Sequence, residues 1–273
     1  MRRRNLTILV LAILAIILTV IVADFMGNRP DRRGSNPYAL DVDALREVDE
    51  ELISHRETRN FSLGSLVATG ICLYDDMLYL VGDSSLLFLS PEGTPEDMIR
   101  ILPHPTCIAA GEEFFYIGYE RFLAKYDRTG GLVARWAGLG ERAVITSVAV
   151  KGDRIYAADA GNRRVVIFNT EGEFLGEFKG EAVTEAGHGF IVPSPCFDVV
   201  VDSYGELWVV NPGRKAVENY TDDGEMRGFW QQNSTDVEGF AGCCNPAELA
   251  AMKDGSFVTS EKGMVRIKIH KPS

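Results

Sequence analysis

Histidine is scarce in this chain: there are four among 273 residues, at His55, His104, His188 and His270. No Cys-x-x-Cys, HExxH, GxSxG or paired-carboxylate motif occurs. A zinc centre needs clustered thiolates or imidazoles, and an elbow-type hydrolase needs its strained serine turn, so neither chemistry has a linear signature here. Positive charge is also short. Lys and Arg number 28 against 39 Asp and Glu, for a net charge of −11. A non-specific nucleic-acid binder displaces counterions with a basic surface. The opposite balance here excludes that role for the chain as a whole.

Long apolar runs are missing as well, with one exception. Leu6 to Ala23 is an uncharged stretch in which only Thr7 and Thr19 are polar. It is long enough to span a bilayer as a helix, so residues 1–27 read as a cytoplasmic tip and transmembrane anchor. Arg2, Arg3 and Arg4 favour a cytoplasmic N-terminus. A cleaved signal peptide is the alternative. Both readings export the rest of the chain to the extracytoplasmic, periplasmic side. Outside the cytoplasm disulfides can persist, and five cysteines leave at least one without an intrachain partner.

Residues 28–57 read as a Pro-, Gly- and Arg-rich linker followed by a short amphipathic helix over Asp41 to Glu57. Val42, Leu45, Val48, Leu52 and Ile53 fall near one face of that helix. From about residue 58 short apolar runs alternate with Gly, Asp, Asn and Pro clusters, which is an all-β signature.

The runs repeat. Aligning LYLVGD, FYIGYE, IYAADA, LWVVNP and FVTSEK on Tyr79, Tyr116, Tyr156, Trp208 and Val258 gives intervals of 37, 40, 52 and 50 residues. A turn glycine follows each of the first four, at Gly93, Gly130, Gly172 and Gly224. Each unit carries four strands. Four-stranded units at this period predict a β-propeller, with blades near 65–102, 103–143, 144–194, 195–245 and 246–273. At the spacing of its neighbours the fifth unit would need its turn glycine at position 274, beyond Ser273. The expectation is a last blade without its outer strand and a chain truncated at its C-terminus. Thr58 to Leu66 could supply one strand but not a blade.

Asp159 to Phe168, DAGNRRVVIF, resembles the NHL-repeat signature. Weaker copies run over Asn211 to Tyr220 and Ser260 to Ile269. The later units further resemble bacterial NHL-repeat six-bladed β-propeller proteins. The resemblance implies a ring-shaped binding or scaffold module and gives no activity. Asp159, Gly161, Asn162 and Arg163 are then expected to be structural: Asp and Asn close the turn, Gly takes a positive φ, and Arg ties to the neighbouring blade.

In a propeller the loops leading into the inner strands gather at one end of the channel. His104, Cys107, Cys196, Asp198, Cys243, Cys244, Asn245 and Glu248 all lie in or beside such loops and form the candidate binding mouth. The cysteines sit at different offsets from their strands, which argues against one ring of metal ligands. Cys243 and Cys244 read either as a structural vicinal disulfide or buried thiol pair, or as a cofactor shelf. Asp198 and Glu248 take equivalent places and read either as a cation site or as partners of backbone amides. No metal and no cofactor are expected. The partner is expected to be a protein, peptide or glycan. A metal-dependent lyase or redox protein is the alternative. Sequons at Asn219 and Asn233 are candidate glycosylation acceptors.

Overall fold

The structure is a computed structural model. It describes residues 2–27, 66–75, 77–90, 94–180, 189–231, 246, 248–253, 255–260 and 267–270. The linker, the expected amphipathic helix and the run from Thr58 lie outside these residues, apart from Leu66.

The chain divides into two compact units, Met1–Arg59 and Asn60–Ser273. The first contains helix α1 (Arg2–Gly27), which covers the apolar run. Its described side chains, residues 12–24, are all exposed, and Thr19 Oγ1 returns a hydrogen bond to Ala15 O. Among the described residues no helix is long and apolar enough to cross a membrane.

The second unit is five antiparallel sheets in chain order. The first holds β1 (Ala68–Tyr74), β2 (Met77–Gly82), β3 (Ser85–Leu89) and β4 (Pro95–Arg100). The second holds β5 (Pro105–Ala110), β6 (Phe114–Tyr119), β7 (Phe122–Asp127) and β8 (Leu132–Arg135). The third holds β9 (Ile145–Lys151), β10 (Arg154–Asp159), β11 (Arg164–Asn169) and β12 (Phe174–Phe178). The fourth holds β13 (Val199–Val201), β14 (Leu207–Asn211), β15 (Ala216–Tyr220) and β16 (Met226–Gln231). The fifth has β17 (Glu248–Ala251), β18 (Phe257–Ser260) and β19 (Ile267–His270), with no fourth strand among the described residues. The innermost strands β1, β5, β9, β13 and β17 lie side by side in that order. Each sheet is thus a meander that packs on the next, as in a propeller.

Strand alternation gives every sheet two apolar faces, and sheet-on-sheet packing buries them. Tyr79, Val81 and Leu86 of the first blade meet Ile108, Phe115 and Ile117 of the second. Leu123 and Trp136 meet Val148, Ile155 and Val166 at the next interface. Ala158 and Val165 then meet Val199, Val209 and Tyr220. Each such side chain contributes about 1.5–3 kcal/mol. Solvent-exposed ion pairs such as Arg154–Asp223 contribute at most about 1 kcal/mol, so blade stacking is chiefly hydrophobic.

The turn glycines lock this stacking. Gly130, Gly172 and Gly224 have φ of +85°, +87° and +89°. A Cβ there would lie 1.8 Å from Ile99, 2.4 Å from Trp136 and 2.5 Å from Phe178, each on the preceding blade. Gly93 lies outside the described residues. One expectation is corrected: Asn219 is buried in β15, and its Nδ2 donates to Leu207 O at 3.1 Å. The nitrogen a glycan would need is inside a blade. Asn233 lies outside the described residues.

Candidate functional site

Near the loops leading into the inner strands, hydrogen bonds join neighbouring blades. Thr69 Oγ1 donates to Pro105 O at 2.8 Å, and Thr146 Oγ1 to Phe197 O at 2.5 Å. Ser147 Oγ donates to Val199 O at 3.2 Å and accepts from Val199 N at 3.3 Å. Asp198, one blade on, plays the same part. Its Oδ1 accepts from Val199 N at 2.9 Å and its Oδ2 from Leu249 N at 2.7 Å. The backbone-amide reading of Asp198 therefore describes its place. The carboxylate is held by two main-chain donors, one of them on the neighbouring blade.

Strand pairing puts Cys107, Ser147, Asp198 and Glu248 at one ring position. Cys107 pairs with Gly118, Ser147 with Ala158 and Glu248 with Ser260, and Val210 N donates to Asp198 O. Ser147 and Asp198 reach sideways into the next blade, so this position does not gather side chains onto one point of the channel.

Cys107 is buried, and Thr106 Oγ1 lies 3.7 Å from its Sγ. Burial pushes its thiol up to about 12, with the Asp198 charge adding to the rise. Cys196 is half-buried, and its amide donates to Ser194 O at 2.7 Å. His104 is exposed, has φ +61° and donates its amide to Asp83 O at 2.7 Å. Cys243, Cys244 and Asn245 lie outside the described residues. Among the described residues no three His, Cys, Asp or Glu side chains form a group that could hold a metal ion.

Cys72, which sequence reasoning set aside, lies between the first and second blades, and burial pushes it to about 12 as well. Cys72, Cys107 and Cys196 carry free thiols. A folded-state value above the unfolded one keeps the folded thiol protonated. Its contribution is intact below about pH 9 and is lost as pH rises toward 12. At pH 8, Cys72 and Cys107 should resist a small thiol reagent until the chain unfolds, while Cys196 reacts. Urea stability should fall from pH 9 upward, and Cys72→Ala with Cys107→Ala should flatten that fall. Rapid native labelling of all three would contradict the burial.

The turn from Asp159 to Arg164 is knit by its own hydrogen bonds, and two of the parts expected in it fall to other residues. Asp159 Oδ1 accepts from Val144 N at 3.0 Å and Asn162 N at 3.2 Å. Its Oδ2 accepts from Asn162 Nδ2 at 2.7 Å and Arg164 Nε at 2.9 Å. The arginine that ties outward is Arg164, which also reaches Leu139 O and Glu177. Arg163 instead takes the left-handed turn position, φ +53°. Gly161 is not among the positive-φ residues. It is small because a Cβ would stand 1.8 Å from Arg142 O.

The fourth blade repeats this design. Asn211 Oδ1 accepts from Ile191 N at 2.9 Å, and Lys215 has φ +53°. Buried Glu218 accepts from Asn211 Nδ2, Arg214 Nη1 and the Tyr220 hydroxyl. Sequence reasoning missed Glu218 because a charged residue in AVENY reads as solvent-facing. A signal was present in the neighbouring Arg214, four residues earlier.

No family model matches the chain, and no curated protein matches it. Among solved structures it is similar to a streptogramin B lyase, with TM-score 0.55 and 12% identity over 77% of this chain and 70% of that one. It is similar to a catalytically inactive virginiamycin B lyase from Staphylococcus aureus with quinupristin, at TM-score 0.53 and 12% identity over 74% and 69%. A protein of unknown function from Bacteroides thetaiotaomicron gives TM-score 0.50 and 14% identity over 74% and 55%. At these identities the likeness is one of fold, and the fold is a β-propeller.

Proposed function

We propose that the chain is a membrane-anchored, exported NHL-type propeller of a bacterial six-bladed kind. In this reading its loop face binds a protein, peptide or glycan. One observation carries the binding role: the ring polar groups Thr69, Thr146, Ser147 and Asp198 are engaged between blades. In this reading the loops into the inner strands, residues 101–104 and 136–144 among them, are the surface available to a ligand. Anchoring rests on the uncharged sequence run Leu6 to Ala23, of which the described side chains, Ile13, Leu14, Ile16, Ile17, Leu18, Val20, Ile21 and Val22 among them, are exposed. A helix apolar on every side needs an apolar surrounding.

The test uses the full chain in detergent against arrays of peptides and glycans. Binding should fall about tenfold for His104→Ala with Arg142→Ala, the cost of losing a contact residue or two. A ligand whose binding ignores the loop changes would sink the reading. A reporter fused after Ser273 should be active only outside the cytoplasm, and activity inside would remove the export claim. The second reading, lyase chemistry at the mouth, draws on the lyases that share the fold. It predicts turnover that is lost with His104→Ala.

A further inference from the structure

In a four-stranded meander the inner strand starts where the second strand turns into the third and where the outer strand finishes. The loops into the inner strands therefore share one end of the blades with those turns. At this entry end single cations stand on successive blades. Arg121 is in the second blade's turn, Arg135 at the end of β8, and Arg142 in the loop into β9. Arg163 and Lys215 hold the last position of the equivalent turns in the third and fourth blades. The four arginines are exposed and Lys215 is half-buried. Arg135 lies over the Phe122 ring, 3.9 Å from its centre. Arg135, Arg142, Arg163 and Lys215 form no ion pair among the described residues. Glu120 lies 3.6 Å from Arg121 and Glu141 adjoins Arg142, which offsets part of the charge and leaves the arc positive. The opposite end differs. Glu112, Glu113, Asp153, Glu171, Glu173 and Glu225 are exposed in its turns, and there Lys151 and Arg154 are matched to Asp222 and Asp223. Two cations of the arc also sit on strained backbone. Arg163 and Lys215 both have φ +53°, where glycine or asparagine fits better. The turn alone does not call for a long cationic side chain.

We propose that this arc binds an acidic polysaccharide, a chain of sugars that each carry a carboxylate; the proposal rests on the reading of the entry loops as the ligand surface. Guanidinium groups take carboxylates in paired hydrogen bonds. The cations stand singly on separate turns, which suits charges spaced along a chain. A dense phosphate run would meet too few of them and the repulsion of a net charge of −11. An acidic peptide would bring apolar side chains to anchor. Among the described residues no large apolar side chain is exposed in the entry loops and turns of the second to fourth blades, so that anchorage is missing.

The experiment is fluorescence anisotropy of a labelled oligogalacturonate titrated with the full chain in non-ionic detergent. Saturable binding that weakens as salt rises is expected. The fully methyl-esterified oligomer, the same sugars without charge, should not bind. Arg163→Asn with Lys215→Asn should weaken binding about tenfold, the cost of losing hydrogen bonds to a charged group. Asparagine tolerates the left-handed position, so thermal unfolding should stay level or move upward. If either change alters folding, Arg142→Gln in the loop serves as the second probe. No binding of the oligogalacturonate overturns this proposal and leaves the loop reading to its own arrays. Equal binding of the ester overturns it, and so does equal binding of polyglutamate, which would point to an acidic peptide. Binding indifferent to Arg142→Gln, Arg163→Asn and Lys215→Asn overturns it and counts against the loop reading as well.

Discussion

Replacing Asp159 with alanine is expected to cost the propeller about 3–5 kcal/mol, the range for breaking a buried charge pair by deleting one partner. That is a large share of the roughly 5–15 kcal/mol available to a typical fold. The carboxylate is fully buried and accepts four hydrogen bonds from Val144, Asn162 and Arg164. Deleting it leaves two main-chain donors short of an acceptor and a guanidinium, 17% exposed, without one of its counter-charges. Asp159→Asn should cost less, about 1–2 kcal/mol, since an amide oxygen still accepts. Asn211 fills the equivalent place in the fourth blade with that chemistry. Urea unfolding of the full chain in detergent measures both. A loss under about 1 kcal/mol for Asp159→Ala would mean that the network does not hold the blade.

Gly161→Ala should destabilise by about 3 kcal/mol, the upper end of ordinary overpacking. The added methyl would sit 1.8 Å from Arg142 O and 3.0 Å from Val144 N. Both are backbone atoms of the loop leading into β9, so no side chain can swing away. That loop would have to shift, and with it the Val144 amide that Asp159 holds. The control is Gly176, whose Cβ would meet nothing within 4 Å. Gly176→Ala should be neutral or stabilise by up to about 1 kcal/mol through the unfolded chain. Equal costs at the two positions would show that space at Gly161 is not the reason for glycine there.

Much of the architecture was legible because propeller blades repeat locally. Tyr79, Tyr116, Tyr156 and Trp208 all fall on the second strand of a sheet, where alignment on the aromatic put them. Gly130, Gly172 and Gly224 make their turns at a positive φ that glycine tolerates, a requirement local to each hairpin that the close approach of the preceding blade reinforces. The candidate site was less legible. Cys107 and Asp198 looked like loop residues facing a channel, yet strand register turns both into an interface between blades. A bulge lies at the start of two inner strands, between Pro105 and Cys107 on β5 and between Ile145 and Ser147 on β9. One residue of slip reverses the face a side chain occupies, and spacing alone does not reveal it.

By itself the sequence determined the class of element, the number of strands per unit and the order of the units. Alternation and turn chemistry act over a few residues, and each unit carries its own copy. Tertiary structure decided which arginine of Asn162-Arg163-Arg164 ties the blade, why Gly161 has no side chain, and that Glu218 is buried. Each depends on atoms brought up from another part of the chain: Leu139, Arg142, Asn211. It also decided that Ile71 stands exposed while Ile108 is covered. The two strands carry the same kind of residue at the same place, and among the described residues only the second has another blade packed on that face.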